Sequence, residues 1–196
     1  MPVRENIRSR VHVGMKEIAI CSPEIYESQA MQRYIAQKCG DADNQWIYKL
    51  INGEPMENER VYVNEPEFMI CRDIHPGTDV RYLVIFKDLS LRTIRDLSEK
   101  HLPLLERIHA TVKEFVWSMH GSRARDYRVF FHYTPSVFQL HAHVSVVGSH
   151  NQNTRMQPMN VLIRHLRRDP LWYRNGLILI SLCRSMKALH VYKCLK

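Results

Sequence analysis

One stretch of the chain, Phe138-Gln139-Leu140-His141-Ala142-His143-Val144-Ser145-Val146-Val147, sets two imidazoles two residues apart among strictly alternating apolar residues. On a strand every second side chain shares a face. One face then carries Leu140, Ala142, Val144 and Val146, which suit a core, and the other carries Gln139, His141, His143 and Ser145. Two chemistries fit that row. A neutral imidazole is a good nucleophile toward phosphorus, and the phospho-histidine it forms is labile enough to hydrolyse. A second imidazole two residues on can hydrogen-bond the phosphate oxygens and stabilise transition-state charge. Alternatively, His-x-His supplies two ligands of a catalytic zinc, which needs a third; His132 and His150 stand nearest in sequence. An ordinary strand that happens to carry two histidines is the bland alternative.

The elements that must position this row are legible from local pattern. Tyr127–Tyr133 and Phe138–Val147 read as two strands joined through Thr134-Pro135-Ser136, a hairpin. Further strands are expected at Arg60–Val63, Phe68–Cys71 and Val80–Lys87, with turns at Glu65-Pro66 and Pro76-Gly77 between them. Leu102–His120 has helical spacing of Leu104, Leu105, Ile108, Val112, Phe115, Val116 and Met119, with Pro103 in its first turn and Gly121 after it. Ser22-Pro23-Glu24 opens a helix through Lys38 that stops at Cys39-Gly40. Trp46–Ile51 is a short helix or strand followed by an Asn52-Gly53 turn. Gln157–Arg167 reads as a short helix and Leu177–Leu182 as a buried strand. The alternation around Val11-His12-Val13 suggests an edge strand or arm. Strands interrupted by one long helix, two of them consecutive and antiparallel, predict an α+β fold: an antiparallel sheet with helices packed on one face.

Composition narrows the function. The 196 residues suffice for one good core. No apolar run reaches the roughly 20 residues of a membrane helix, and the first residues do not lead into the apolar segment of a signal peptide. No membrane association is expected. Five cysteines, scattered and never CxxC, argue against a disulfide framework and for a reducing compartment, cytoplasm or nucleus. Residues 1–149 carry 19 Lys/Arg against 19 Asp/Glu, whereas residues 150–196 carry nine basic residues against Asp169 alone, so the whole excess of +8 follows the histidine row. Such a tail suits a phosphate-bearing or polyanionic partner, or simply a solvated surface.

Gln139-Leu140-His141-Ala142-His143-Val144 resembles the histidine-triad motif with its first histidine replaced by glutamine. The neighbourhood resembles one branch of that superfamily, the C-terminal catalytic domain of the scavenger mRNA-decapping enzymes. Arg128–Ser136, Ser90–Leu97 followed by His101–Leu105, and Asp169-Pro170 followed by Tyr173 are similar to that family's segments, and the likeness runs from about Pro23 to Leu182. It implies a histidine-triad fold, with residues 1–40 as connector, arm and helix and 41–196 as catalytic domain with a basic tail. It implies hydrolysis of the triphosphate bridge of residual 7-methylguanosine cap, as dinucleotide or short capped RNA, to 7-methylguanosine monophosphate and a nucleoside diphosphate. His141 matches the nucleophile, His143 a phosphate contact, and Gln139 the first triad position. Arg155 matches a phosphate-binding arginine, Trp46 the tryptophan that stacks on the cap base, Glu57 the acid that reads the guanine edge, and Asp73 a cap contact. Tyr82 and Ser136 fall at further pocket positions, and His75 stands where the family has a lysine. No cofactor and no metal are expected.

The family also has an N-terminal domain exchanged between subunits, and this chain is expected to begin about where that domain ends. A homodimer is expected, since a lone domain of this type exposes a sheet edge and the family dimerises. The competing readings are a cap- or nucleotide-binding module with weak or absent catalysis, a different triad reaction on dinucleoside polyphosphates or nucleotidyl adducts, and the zinc enzyme.

Overall fold

The structure, a computed structural model, describes residues 18–54, 60–73, 80–146 and 156–181. In chain order the elements are β1 (Ile18–Cys21), α1 (Pro23–Glu27), α2 (Gln29–Gly40), α3 (Gln45–Ile51), β2 (Val61–Asn64), β3 (Phe68–Arg72) and β4 (Val80–Phe86). There follow α4 (Leu102–His120), β5 (Tyr127–His132), β6 (His141–Val146), β7 (Met156–Pro158), α5 (Met159–Arg168), α6 (Trp172–Asn175) and β8 (Ile178–Ser181). Six strands form one antiparallel sheet in the order β2-β3-β4-β6-β5-β7, and β1 pairs with β8 as a separate two-stranded ribbon. The fold is α+β, as the order of patterns predicts.

One face of the sheet builds the main core. Phe68, Ile70, Val84, Phe86, Val129, Phe131, Ala142, Val144 and Val146 pack against Met31 and Ile35 of α2, Leu105 to Val116 of α4, and Leu162 and Leu166 of α5. Helix α4 holds this layer because its apolar residues recur at three- and four-residue spacing. It ends where Gly121 takes φ +54° and donates its N–H to the Trp117 carbonyl. The short helix α3 lies on the opposite face, where Ile47 and Leu50 cover Met69, Cys71, Leu83 and Ile85. The larger helices therefore share one face, and among the described residues α3 packs on the other.

Local departures from the sequence pattern have local causes. The helix expected to run from Ser22 to Lys38 breaks at Ser28, whose extended ψ of 144° ends α1. Its hydroxyl caps α2 by accepting from Met31 N–H. Residues 18–40 join the same core as the rest, through Cys21, Tyr26, Met31 and Ile35, so no packing boundary falls at residue 40. β8 is only half-buried: Leu177 and Leu179 face outward while Ile178 and Ile180 face the core, because a two-stranded ribbon has one covered side. The expected arm at Val11–Val13 and the basic tail after residue 181 lie outside the described residues.

Candidate active site

The histidine strand β6 sits between β4 and β5. Its alternate residues divide as expected, Ala142, Val144 and Val146 into the main core and His141 and His143 onto the face that α3 partly covers. Register fixes the neighbours: Ile85 lies opposite His141, Leu83 opposite His143 on one side, and Phe130 opposite His143 on the other. The site is thus a row of imidazoles walled by aliphatic side chains of β4 and aromatic ones of β5.

His141 is 8% exposed. Its Nδ1 lies 2.7 Å from the backbone carbonyl of Gln139, which can only accept. Nδ1 therefore carries the proton, and the lone pair is on Nε2. Its ring meets the His143 ring nearly edge-on, with centroids 5.2 Å apart. His143 is held on three sides. Its Nδ1 is 3.4 Å from Asp73 Oδ2, its ring stacks on Phe130 at 5.5 Å, and His132 lies 4.4 Å away, centroid to centroid. Asp73 itself is buried just beyond β3, its N–H donating to the Arg81 carbonyl.

Gln139 does not lie in the strand. β6 begins at His141, and the Gln139 amide nitrogen donates back to the carbonyls of Phe86, at 2.7 Å, and Asp88, at 3.0 Å, beyond the end of β4. Two carbonyl acceptors fix the amide orientation, leaving Oε1 buried with no hydrogen-bond partner among the described residues. Glutamine here is an anchor, bonding the segment before β6 to the end of β4 and delivering the carbonyl that orients His141.

The remaining expected positions divide. Trp46 on α3 is half-buried against the cluster of Ile47, Leu50 and Ile85, on the histidine side of the sheet. Ser136 is exposed, next to Val137, which joins the same cluster. Tyr82 is not brought to the site. It pairs across with Val144, so it lies on the core face, where its hydroxyl bonds His120 Nε2 at 2.7 Å and its ring packs edge-on against Phe115. Glu57, His75 and Arg155 lie outside the described residues, as does His150. Among the described residues no three His, Cys, Asp or Glu side chains group in a way that could hold a metal ion, and no helix is long and apolar enough to cross a membrane.

Phe130 and, except as a possible metal ligand, His132 were not singled out by residue pattern. The signal is parity: Phe130 pairs across with His143, and His132, two residues on along β5, shares its face. Tyr-Arg-Val-Phe-Phe-His offers too little polar–apolar alternation to tell the two faces apart without that register.

Fold and site together define a histidine-triad type of α+β domain, with an oriented imidazole on a central strand. Residues 45–157 match the family model described as scavenger mRNA decapping enzyme C-term binding, which covers more than half of the chain. The chain belongs to this family. It is 27% identical over 149 residues to the m7GpppX diphosphatase of Homo sapiens, covering 70% of this chain and 44% of that protein. It is 27% identical over 144 residues to the m7GpppX diphosphatase of Schizosaccharomyces pombe, covering 69% and 46%. The chain thus spans less than half the length of these relatives. Among solved structures, a histidine triad protein from Clostridium difficile aligns with a TM-score of 0.46 and 19% identity, over 58% of this chain and 98% of that one.

Proposed function

We propose that the protein hydrolyses the triphosphate bridge of a 7-methylguanosine cap, as dinucleotide or short capped RNA, through a covalent phospho-histidine at His141. The observation that carries this reading is the 2.7 Å bond from His141 Nδ1 to the Gln139 carbonyl, which leaves the Nε2 lone pair as nucleophile. A bond forms from Nε2 to the phosphorus next to methylguanosine as the bridging P–O bond breaks and a nucleoside diphosphate leaves. Water then attacks the same phosphorus, releasing 7-methylguanosine monophosphate and restoring the imidazole. His143, held by Asp73 and Phe130, contacts the phosphate oxygens. Trp46 stacks on the cationic methylated base, an attraction worth about 0.5–2 kcal/mol. Glu57 reads the guanine edge, Asp73 contacts the cap and Ser136 lines its pocket, while Arg155 and His75 lie at the phosphates. The protein acts as a homodimer.

Mixing the protein with a methylated cap dinucleotide should release 7-methylguanosine monophosphate, and His141→Asn should abolish the release. No product from the unsubstituted chain, or undiminished product from the variant, overturns the proposal.

One observation favours a second reading, a cap-binding module of weak activity. The residue at the first triad position cannot carry a proton, and its amide nitrogen is committed to two backbone carbonyls. Preference for methylated over unmethylated guanosine, lost in Trp46→Ala and unaccompanied by turnover, would support that module instead.

A further inference from the structure

We propose that the cavity between α1, the loop of residues 92–100 and α6 is a second anion site, for a small phosphate dianion either free or as the terminal group of a phosphomonoester. The cavity holds about 520 Å³ and is lined by Arg92, Arg95, Lys100 and Arg174 against two carboxylates, Glu27 and Asp96. None of these residues belongs to the histidine cluster. Four cations facing two acids leave an excess of two positive charges. Asp96 is moreover already engaged, its Oδ2 accepting from the backbone N–H groups of Arg92 and Thr93, each at 2.8 Å.

Arg95 is the reason to expect an anion there. It is 3% exposed. Its Nε donates to the Tyr133 hydroxyl at 2.6 Å, Nη1 to the carbonyls of Tyr173 at 2.7 Å and Gly176 at 3.1 Å, and Nη2 to the Cys21 carbonyl at 2.6 Å. The rings of Tyr26 and Tyr133 flank it at 5.5 and 5.3 Å. Every one of these acceptors is neutral, and among the described residues no carboxylate forms an ion pair with it. A guanidinium stays protonated, so this is a buried charge solvated by dipoles and rings, which the Glu24 carboxylate feels only beyond ion-pair distance. Such a charge is costly without a counter-ion, and an anion in the adjoining cavity offsets that cost.

The rest of the lining fits the same ligand. Lys100 and Arg174 are exposed and Arg92 is half-buried in the same lining. Arginine forks and a lysine ammonium together match the tetrahedral oxygens of phosphate. The volume is that of a small-molecule pocket. Its two excess charges balance one dianion.

The full chain should be titrated calorimetrically with inorganic phosphate and, separately, with glycerol 3-phosphate, a phosphomonoester without a base, at low salt. Saturable binding is expected, weakened about tenfold by Lys100→Ala and by Arg174→Ala, the scale of one charge-assisted hydrogen bond. His141→Asn should leave it unchanged. Equal affinity for the two ligands assigns free phosphate, and tighter binding of the ester assigns a phosphomonoester. Absence of saturable binding by either ligand, binding indifferent to both lining substitutions, or binding lost in His141→Asn overturns the proposal.

Discussion

The two faces of the six-stranded sheet divide labour within single strands. On β6, Ala142 and Val144 lie in an apolar layer roofed by α2, α4 and α5, while His141 and His143, one residue away, look out on Phe130, His132 and the buried Asp73. Among the described residues the core face carries most of the large buried side chains, and the histidine face is covered by one seven-residue helix and the segment before β6. Reactive groups are held most precisely on rigid strands whose own packing is separate from the site. The teaching is that effects on stability and on chemistry should separate by parity along a strand.

The sharpest test of that separation is His141→Asn. Turnover of a cap dinucleotide should fall at least about a thousandfold, as for loss of a nucleophile. Unfolding free energy should change by no more than about 1–2 kcal/mol, the scale of one hydrogen bond. A large loss of stability, read by urea denaturation, would show that the imidazole is a core residue and erase the contrast. From the other face, Phe131→Ala should cost about 3–5 kcal/mol of stability, since its ring is fully buried against Phe86. Turnover per folded molecule should be little altered. The reverse pattern, intact stability with lost activity, would break the division.

Tyr82→Phe offers a smaller and more pointed measurement. If the core face is structural, loss of the hydroxyl bond to His120 should cost about 1 kcal/mol and leave KM for a capped substrate unchanged. A raised KM would place that hydroxyl in a substrate pocket, on the wrong side of the sheet.

Tyr82 also shows why only part of the site could be read from residues in order. Helix α4 was legible to its ends, because its apolar spacing, Pro103 and Gly121 are all local signals. The division of β6 into an apolar and an imidazole face was legible for the same reason. Tyr82 stands one residue from Leu83, and which of the two shares a face with His143 depends on register across β4 and β6. Gln139 extends the alternation of β6 on paper, yet its partners are the carbonyls of Phe86 and Asp88, more than fifty positions earlier in the chain. Nothing local in the sequence marks Arg95, and only the tertiary fold surrounds it with the Tyr133 hydroxyl and the carbonyls of Cys21, Tyr173, Arg174 and Gly176. Contacts that close over long separations leave no periodic trace.

The smallest expected effect compares two imidazoles with opposite settings. His141 donates through Nδ1, whereas His101, buried at the start of α4, accepts there: the Ser98 N–H donates to His101 Nδ1 at 2.9 Å. Burial first, and the nearby Lys100 charge second, push the His101 pKa below its ordinary 6.5. The folded state therefore binds this proton less readily than the unfolded chain does. Its contribution to stability is fully present above about pH 6.5 and is lost as the pH falls through the lower folded value. Protonation would also remove the acceptor that Ser98 uses. His165, lowered by burial and then by Arg164 and Arg168, adds a second decrement of the same sign. His101→Gln keeps an acceptor but no titrating group, so its urea midpoint should fall less between pH 7.5 and 5.5 than that of the parent chain. Adding His165→Gln should flatten the difference further. A parent midpoint that rises on acidification would mean that these rings gain their protons on folding, and the assignment of His101 as a neutral acceptor would be wrong.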